Sequence, residues 1–244
     1  MQAAFLIEMM SSFQGEGTVV GLRQLFLRFA GCNLACAYCD TRYSLHAQET
    51  WKVEFPPGTG CWNILTNPVT VEQLLEQIKK FNPDKHHSLS LTGGEPLLHS
   101  DFLQEFLPKI KQMGWKIYLE TNGTLVHNLK QVLDYIDIIA MDIKLESATG
   151  APTPWEEHQK FLELAMNKSC FIKVVVNSRT DRREIGQVAQ LGPERTRAID
   201  IVLQPQTGSE LPPANRWIEW QEILKPFYRE VRIIPQTHKI LGVL

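Results

Sequence analysis

From Ser88 onward the chain alternates short apolar runs, typical of buried strands, with amphipathic stretches typical of helices. Strand patterns cover 88–92, 116–120, 136–143, 171–176 and 199–204, and helix patterns cover 101–113, 126–134, 154–166, 182–191 and 215–227. An earlier strand pattern at 24–30 and a helix that begins with the capping box Thr70-x-x-Gln73 extend the alternation toward the N-terminus. Repeated strand–helix units predict a parallel sheet with right-handed crossovers. Six units are too few to close an eight-stranded barrel, so we expect an α/β fold that is an open, partial barrel of about six parallel strands with helices outside.

Two segments lie outside this alternation. Residues 43–68 contain Pro56-Pro57-Gly58 and Gly60 and show no clear periodicity, which predicts a loop insertion. A last extended piece at 231–235 is followed by a tail at 236–244. We therefore expect one domain over residues 1–244, with one insertion and one C-terminal tail.

Charge and hydrophobicity exclude several classes of protein. The net charge of −2 provides no basic field for nucleic acid, and no apolar run reaches the roughly 20 residues that span a bilayer. The N-terminus lacks a basic segment, and Glu8 interrupts its apolar stretch, so a signal peptide is not expected. We expect a cytoplasmic protein that binds neither nucleic acid nor membrane.

Three of the five cysteines, Cys32, Cys36 and Cys39, fall within eight residues in a C-x3-C-x2-C spacing. Because cytosolic thiols stay reduced, such a cluster favours metal ligands over disulfides. A closed zinc site needs four ligands, whereas three thiolates suit a [4Fe–4S] cluster with one iron left open. The alternatives are buried core cysteines, or a zinc knuckle completed by Cys61 or His46.

Polar motifs follow the predicted strands at their carboxyl ends. They are Cys32 after the first strand, Gly93-Gly94-Glu95 after the second, Thr121-Asn122 after the third, Lys144 after the fourth and Gln204 after the sixth. In parallel α/β sheets, ligands bind at these ends. The sequence therefore predicts one site that joins the cysteine loop to these motifs.

The cysteine motif together with Thr92-Gly93-Gly94-Glu95-Pro96 resembles the radical S-adenosylmethionine (SAM) superfamily. The resemblance implies that Cys32, Cys36 and Cys39 hold a [4Fe–4S] cluster, and that SAM chelates the open iron and is cleaved reductively to a 5′-deoxyadenosyl radical. It also implies SAM contacts from Tyr38, Gly94, Glu95, Glu120, Thr121, Asn122, Asp142, Lys144, Gln204, Pro205, Gln206 and Thr207.

The run Phe13-Gln14-Gly15-Glu16-Gly17, with Arg28, the Cys39-Asp40-Thr41 triplet and the tail 235–239, resembles the 7-carboxy-7-deazaguanine synthase family. That resemblance implies ring contraction of 6-carboxy-5,6,7,8-tetrahydropterin with loss of ammonia, in queuosine and deazapurine biosynthesis. It implies Mg²⁺ on Thr41, no catalytic side chain beyond the cluster and SAM, a flavodoxin or ferredoxin-type reductant and a homodimer. The implied substrate contacts are Phe13, Gln14, Gly15, Glu16, Arg28 and Thr92.

The residue chemistry agrees with these roles. Backbone amides around Gln14 and Gly15 can bind the edge of a pterin, Glu16 can accept from its N–H groups, and Arg28 can clamp a carboxylate with a bidentate fork. Simpler roles stay open: a turn carboxylate for Glu16, a strand-end salt bridge for Arg28 and a turn-capping hydroxyl for Thr41.

Two other functions also stay open. One is a glycyl-radical-enzyme activase. This chain has Asp142-Ile143-Lys144 where many synthase family members have Ser-Pro-Lys, and an Asp-x-Lys pattern recurs in that other radical SAM group. The other is a non-enzymatic iron–sulfur redox sensor, which would need the cysteines but not the Gly-Gly-Glu-Pro segment or Arg28.

Overall fold

The computed structural model describes residues 2–192 and 194–243. In these residues the strands are β1 (Ala3–Ala4), β2 (Leu6–Phe13), β3 (Arg23–Phe29), β4 (Thr50–Glu54), β5 (Trp62–Thr66), β6 (Val69–Thr70), β7 (Ser88–Gly93), β8 (Ile117–Thr121), β9 (Ile138–Ile143), β10 (Ser169–Val176), β11 (Asp200–Pro205) and β12 (Val231–Ile233). The α-helices are α1 (Val71–Ile78), α2 (Ser100–Gln112), α3 (Val126–Val132), α4 (Glu146–Thr149), α5 (Trp155–Ala165), α6 (Arg182–Gln190), α7 (Ala214–Leu224) and α8 (Thr237–Leu241).

Ten of these strands form one open sheet in the order β12-β11-β10-β9-β8-β7-β3-β2-β4-β5. The run from β3 to β12 is parallel throughout, which confirms the open α/β sheet predicted from the alternation. It holds seven parallel strands rather than about six, because the extended piece after 230 pairs with β11 through Val231, Arg232 and Ile233.

The structure adds an antiparallel strand that the sequence pattern did not reveal. β2 pairs antiparallel with β3 and parallel with β4, and seven of its eight residues are buried. A strand buried on both faces shows no polar–apolar alternation, so the period-2 signal is missing there.

The 43–68 segment is not the plain loop that was predicted. It contains the antiparallel hairpin β4–β5, which extends the sheet beyond β2. Trp51 and Val53 of β4 are buried, whereas the Pro- and Gly-rich residues form only the connection between the two strands. The local turn signal was correct, but the tertiary pairing of its flanks was not visible in sequence.

The capping box that opens α1 is confirmed, since the Thr70 hydroxyl accepts from the Gln73 amide and the Gln73 side chain accepts from the Thr70 amide. One face of the sheet carries the main apolar core, which includes Leu89, Leu119 and Met141. The alternate residues of the same strands point to the other face, where Tyr118, Ala140, Phe171 and Val202 form a small separate cluster. This second face holds the polar residues of the site.

No α-helix in the described residues is long and apolar enough to cross a membrane.

Candidate active site

A cavity of about 280 Å³ lies at the carboxyl ends of the parallel strands, next to the cysteine loop. Strand register explains its polar lining, because side chains paired across neighbouring strands share one face of a sheet. Arg28 pairs with Thr92, Asp142 with Lys173 and Val175 with Gln204, while Glu120 pairs with Ala140 between them. The cavity brings together every sequence-predicted site residue except Glu95.

The three clustered cysteines line this cavity as partly buried free thiols, whereas Cys61 is exposed and Cys170 is buried, and neither lines the cavity. Burial raises the pKa of Cys32 and of Cys36 in the metal-free chain. Neither Cys61 nor His46, the alternative zinc ligands, lines the cavity with the three cysteines. Three thiols without either of these partners fit the three-thiolate site of a [4Fe–4S] cluster.

The Gly-Gly-Glu segment packs its backbone directly against the cysteine loop. A Cβ on Gly94 would lie 1.9 Å from the carbonyl oxygen of Gly31, and Gly93 has a φ of 127° with no room for a Cβ beside Phe29. Only glycine permits this approach, which fixes the end of β7 beside the cysteines.

Glu95 does not line the cavity, and its SAM contact stays a prediction. Its Oε1 accepts from the Thr121 hydroxyl at 2.9 Å and the Leu97 amide at 3.1 Å, and its Oε2 accepts from the Asn122 amide at 2.8 Å. Burial raises the pKa of this carboxyl to about 7, although those donors lower it. Glu95 thus ties the end of β7 to the end of β8, and positions Asn122 rather than facing the cavity.

Asp142, Lys144 and Tyr38 form a second group beside the cysteines. The Lys144 ammonium donates to Asp142 Oδ2 at 2.8 Å and to the Tyr38 hydroxyl at 2.9 Å. Asp142 Oδ1 and Gln204 Oε1 are buried acceptors without a partner in the described part of the chain. Unpartnered buried acceptors are rare. Two of them in one cavity fit a cofactor rich in N–H and O–H donors, as adenosine is.

Another part of the cavity is built around Glu120. Its Oε1 accepts from Gln14 Nε2 at 2.6 Å and its Oε2 from the Thr92 hydroxyl at 2.7 Å. These bonds group Glu120 with the predicted substrate residues and not with the predicted SAM residues Thr121 and Asn122. The sequence analysis expects the backbone amide of Gln14 to bind the pterin. This amide instead donates to the Leu22 carbonyl at 2.8 Å and is not free to do so.

Arg28 forms the strand-end salt bridge that the sequence left open as an alternative. Its Nε donates to Glu8 Oε1 at 2.8 Å, and Glu8 also accepts from Tyr43 and pairs with Lys52. The two terminal Nη groups of Arg28 have no hydrogen bond to the described residues, and Arg28 lines the cavity. One edge of the guanidinium is therefore used by the fold, and the other donors remain for a ligand.

Lys173 and the tail are parts of the site that the sequence analysis missed. Lys173 forms an ion pair with Glu16 Oε2, and Gln236 Nε2 donates to Glu16 Oε1 at 2.6 Å and to Asp40 Oδ2 at 3.0 Å. Burial alone would raise the pKa of Glu16, but Lys173 and Gln236 lower it overall. Lys173 had a visible signal, since it is a charged residue within the apolar run from Cys170 to Val176.

Thr41 lines the cavity beside the third cysteine, with its hydroxyl 3.8 Å from Cys39 Sγ. Its backbone carbonyl accepts from the Ser44 amide and hydroxyl, so the turn is closed by the main chain. The Thr41 side chain makes no cap to that turn. The turn-capping alternative for the Thr41 hydroxyl is therefore not supported.

Comparison with known proteins places these features in a family. Residues 27–177 match the model of the radical SAM superfamily. The chain is 41% identical to the 7-carboxy-7-deazaguanine synthase of Geobacter sulfurreducens, over 99% of this chain and 98% of that protein. It is 34% identical to the enzyme of the same name from Thermococcus kodakarensis, over 98% of each. The fold is similar to a crystal structure of QueE from Escherichia coli, with a TM-score of 0.57, 21% identity and coverage of 96% and 94% of the two chains.

Proposed function

The chain belongs to the radical SAM superfamily and, within it, to the 7-carboxy-7-deazaguanine synthase family, and from this membership we propose its reaction. It converts 6-carboxy-5,6,7,8-tetrahydropterin to 7-carboxy-7-deazaguanine with loss of ammonia, in queuosine and deazapurine biosynthesis. The observation that carries the proposal is the single cavity in which three free thiols face a row of polar side chains, in a chain similar to named synthases over its full length.

The cysteine end of the cavity is assigned to the cofactors. Cys32, Cys36 and Cys39 would hold the [4Fe–4S] cluster, which would supply the electron for the reductive cleavage of SAM. The unpartnered oxygens of Asp142 and Gln204 support a donor-rich ligand beside the thiols. Lys144 holds Asp142 Oδ2 and the Tyr38 hydroxyl, and thereby orients both toward this end.

The end formed by Gln14, Thr92 and Glu120 is assigned to the pterin. Glu120 accepts from both neighbours, so its carboxylate is fixed in the cavity wall before any ligand arrives. Glu16 is held in the same way by Lys173 and Gln236. The free Nη groups of Arg28 are placed to bind the substrate carboxylate, and Glu8 on its Nε fixes the plane of the guanidinium.

We assign Mg²⁺ to Thr41, with further oxygens from the substrate carboxylate and water. A competing group consists of Glu16, Asp40 and His238, whose ligand atoms lie within 4.8 Å of one another. Its carboxylates already pair with Lys173 and Lys239 and accept from Gln236, so a cation there would have to displace these donors. Thr41→Ala should reduce the dependence of turnover on added Mg²⁺ with SAM binding retained, and Asp40→Asn should leave that dependence in place.

The alternatives have less support. The comparisons do not favour a glycyl-radical-enzyme activase, because the relatives that match along the full chain carry the synthase name. A redox sensor has no use for the polar group formed by Gln14, Thr92 and Glu120. A flavodoxin or ferredoxin-type reductant, a homodimer and a cytoplasmic location complete the proposal as inferences from the family.

The direct test is anaerobic reconstitution of the cluster, followed by incubation with SAM, Mg²⁺, a reductant and 6-carboxytetrahydropterin. Mass spectrometry should detect a ring-contracted product with one nitrogen fewer, and SAM should be regenerated. Steady SAM cleavage without consumption of the pterin would contradict the substrate assignment, and an absorbing cluster without SAM cleavage would favour the sensor.

A further inference from the structure

Lys173 contacts two carboxylates that belong to different halves of the site. On the cavity face of β10 its ammonium pairs with Glu16 and, at 3.2 Å, with Asp142 Oδ2 from the neighbouring strand β9. The side chains of Lys173, Glu16 and Asp142 are only 15%, 17% and 11% exposed. Glu16 lies in the half assigned to the pterin, and Asp142 in the half assigned to SAM.

The second oxygens of these carboxylates differ in a way that points to a ligand. Glu16 Oε1 accepts from Gln236, so both oxygens of that carboxylate have a donor from the chain. Asp142 Oδ1 is buried and has no partner in the described residues, and Asp142 lines the cavity. A buried acceptor without a donor is costly, so Asp142 is arranged for a donor that a bound molecule brings.

Simple structural stabilisation does not account for Lys173. Buried ion pairs are on average no more stabilising than well-packed apolar side chains, because desolvation offsets their attraction. Two carboxylates that share one ammonium in a poorly solvated site do influence one another. When the contact of the ammonium to one carboxylate weakens, its contact to the other strengthens. If Glu16 loses its charge, Lys173 should bind Asp142 more tightly and make it a poorer acceptor.

We propose that Lys173 is a positioning residue that couples the substrate half of the site to the cofactor half. Through its ammonium, the charge and position of Glu16 set how well Asp142 accepts from SAM, and SAM on Asp142 in turn changes how Glu16 meets the pterin. The inference rests on the proposed function, which places Asp142 against SAM and Glu16 against the pterin.

The test measures the Kd of SAM by anaerobic calorimetry on the cluster-reconstituted protein, without pterin, so that the two ligands cannot contact each other. Asp142→Asn should raise this Kd, which checks the SAM assignment itself. Glu16→Gln should raise it about threefold or more, the size expected for residues in one hydrogen-bonded network. Glu54→Gln is the matched control, because Glu54 is buried on β4 outside the cavity and should leave the Kd of SAM unchanged.

A second set of variants lacks the Lys173 ammonium. In the Lys173→Met background, Glu16→Gln should have no further effect on the Kd of SAM, whereas Lys173→Arg should preserve the coupling. If circular dichroism shows that Lys173→Met does not fold, the Glu16→Gln/Asp142→Asn double variant replaces it. The fold-change in its Kd of SAM should then differ from the product of the fold-changes in the two single variants.

The outcomes separate the inference from the proposed function. An equal effect of Glu16→Gln with and without Lys173, or single changes that simply multiply, overturns the coupling and leaves the synthase assignment intact. A parental Kd in Asp142→Asn removes Asp142 from the SAM site and overturns the inference with it.

Discussion

At the scale of single residues, the cysteines carry the most direct prediction. Changing Cys32, Cys36 or Cys39 to Ala should abolish the broad visible absorbance of the reconstituted cluster, because three thiolates are needed to hold it. Cys61→Ala and Cys170→Ala are the controls and should retain it, since neither side chain lines the cavity. A cluster that survives without Cys32 but is lost without Cys61 would reverse the assignment.

Arg28 has two roles in the structure, and its prediction has to separate them. Arg28→Ala should lower kcat/KM for the pterin about ten- to a hundredfold, because a charge-assisted pair with a carboxylate is worth about 1.5–3 kcal/mol. Uncoupled SAM cleavage and the cluster should persist. Arg23→Ala is the control on the same strand, since Arg23 donates to Ser11 and does not line the cavity.

The measurement for Arg28 is a two-by-two comparison of parent and variant with carboxylated and decarboxylated pterin. If Arg28 binds the carboxylate, removal of that group should affect the variant less than the parent. Losses that simply multiply would mean that the guanidinium only completes the salt bridge with Glu8.

At the scale of elements, His158 of α5 joins the ends of two strands. Its Nε2 accepts from the Lys144 amide after β9, and its Nδ1 is 3.1 Å from the Gly123 carbonyl after β8. These partners require the neutral ring with hydrogen on Nδ1. Burial lowers the pKa of His158 from 6.5 to about 4, although the Gly123 bond raises it.

The lowered pKa of His158 predicts a stability change with a definite sign. Above pH 6.5 the His158 ring is neutral in the folded and in the unfolded chain, so its pKa shift does not affect stability there. As the pH falls, the ring gains a proton in the unfolded chain first. The contribution of His158 to the free energy of unfolding should therefore fall by about 3 kcal/mol between pH 6.5 and 4, and level off below. Urea unfolding of the metal-free chain should show this drop in the parent relative to His158→Gln. Parallel losses in parent and variant would mean that folding does not lower the pKa of His158.

At the scale of the whole molecule, the C-terminal segment closes the site against the loop after β2. The Thr237 amide donates to the Gly15 carbonyl at 2.9 Å, and Gln236 links Glu16 to Asp40. Gly15 makes this contact possible, since a Cβ there would lie 2.0 Å from His238 Nδ1.

Gly15→Ala should therefore displace α8 and raise the KM for the pterin about tenfold, within the 1–3 kcal/mol typical of overpacking. SAM cleavage without pterin should continue. Gly186→Ala is the control, because no atom would lie within 4 Å of its Cβ in α6. An unchanged KM in Gly15→Ala would show that the tail does not shape the substrate half.

The sequence by itself determined the parallel sheet and the place of the site at its carboxyl ends. Both follow from local patterns: alternating strand and helix periods, a cysteine spacing and glycines where two backbones touch. Only the tertiary structure decided which charged and polar side chains pair with one another. The Lys173–Asp142 pair depends on the register of two strands, and the Glu8–Arg28 pair depends on a strand buried on both faces. The Lys173–Glu16 and Gln236–Asp40 pairs join residues separated by 157 and 196 positions. Such residues meet only through the whole fold, so no local sequence pattern predicts the contact.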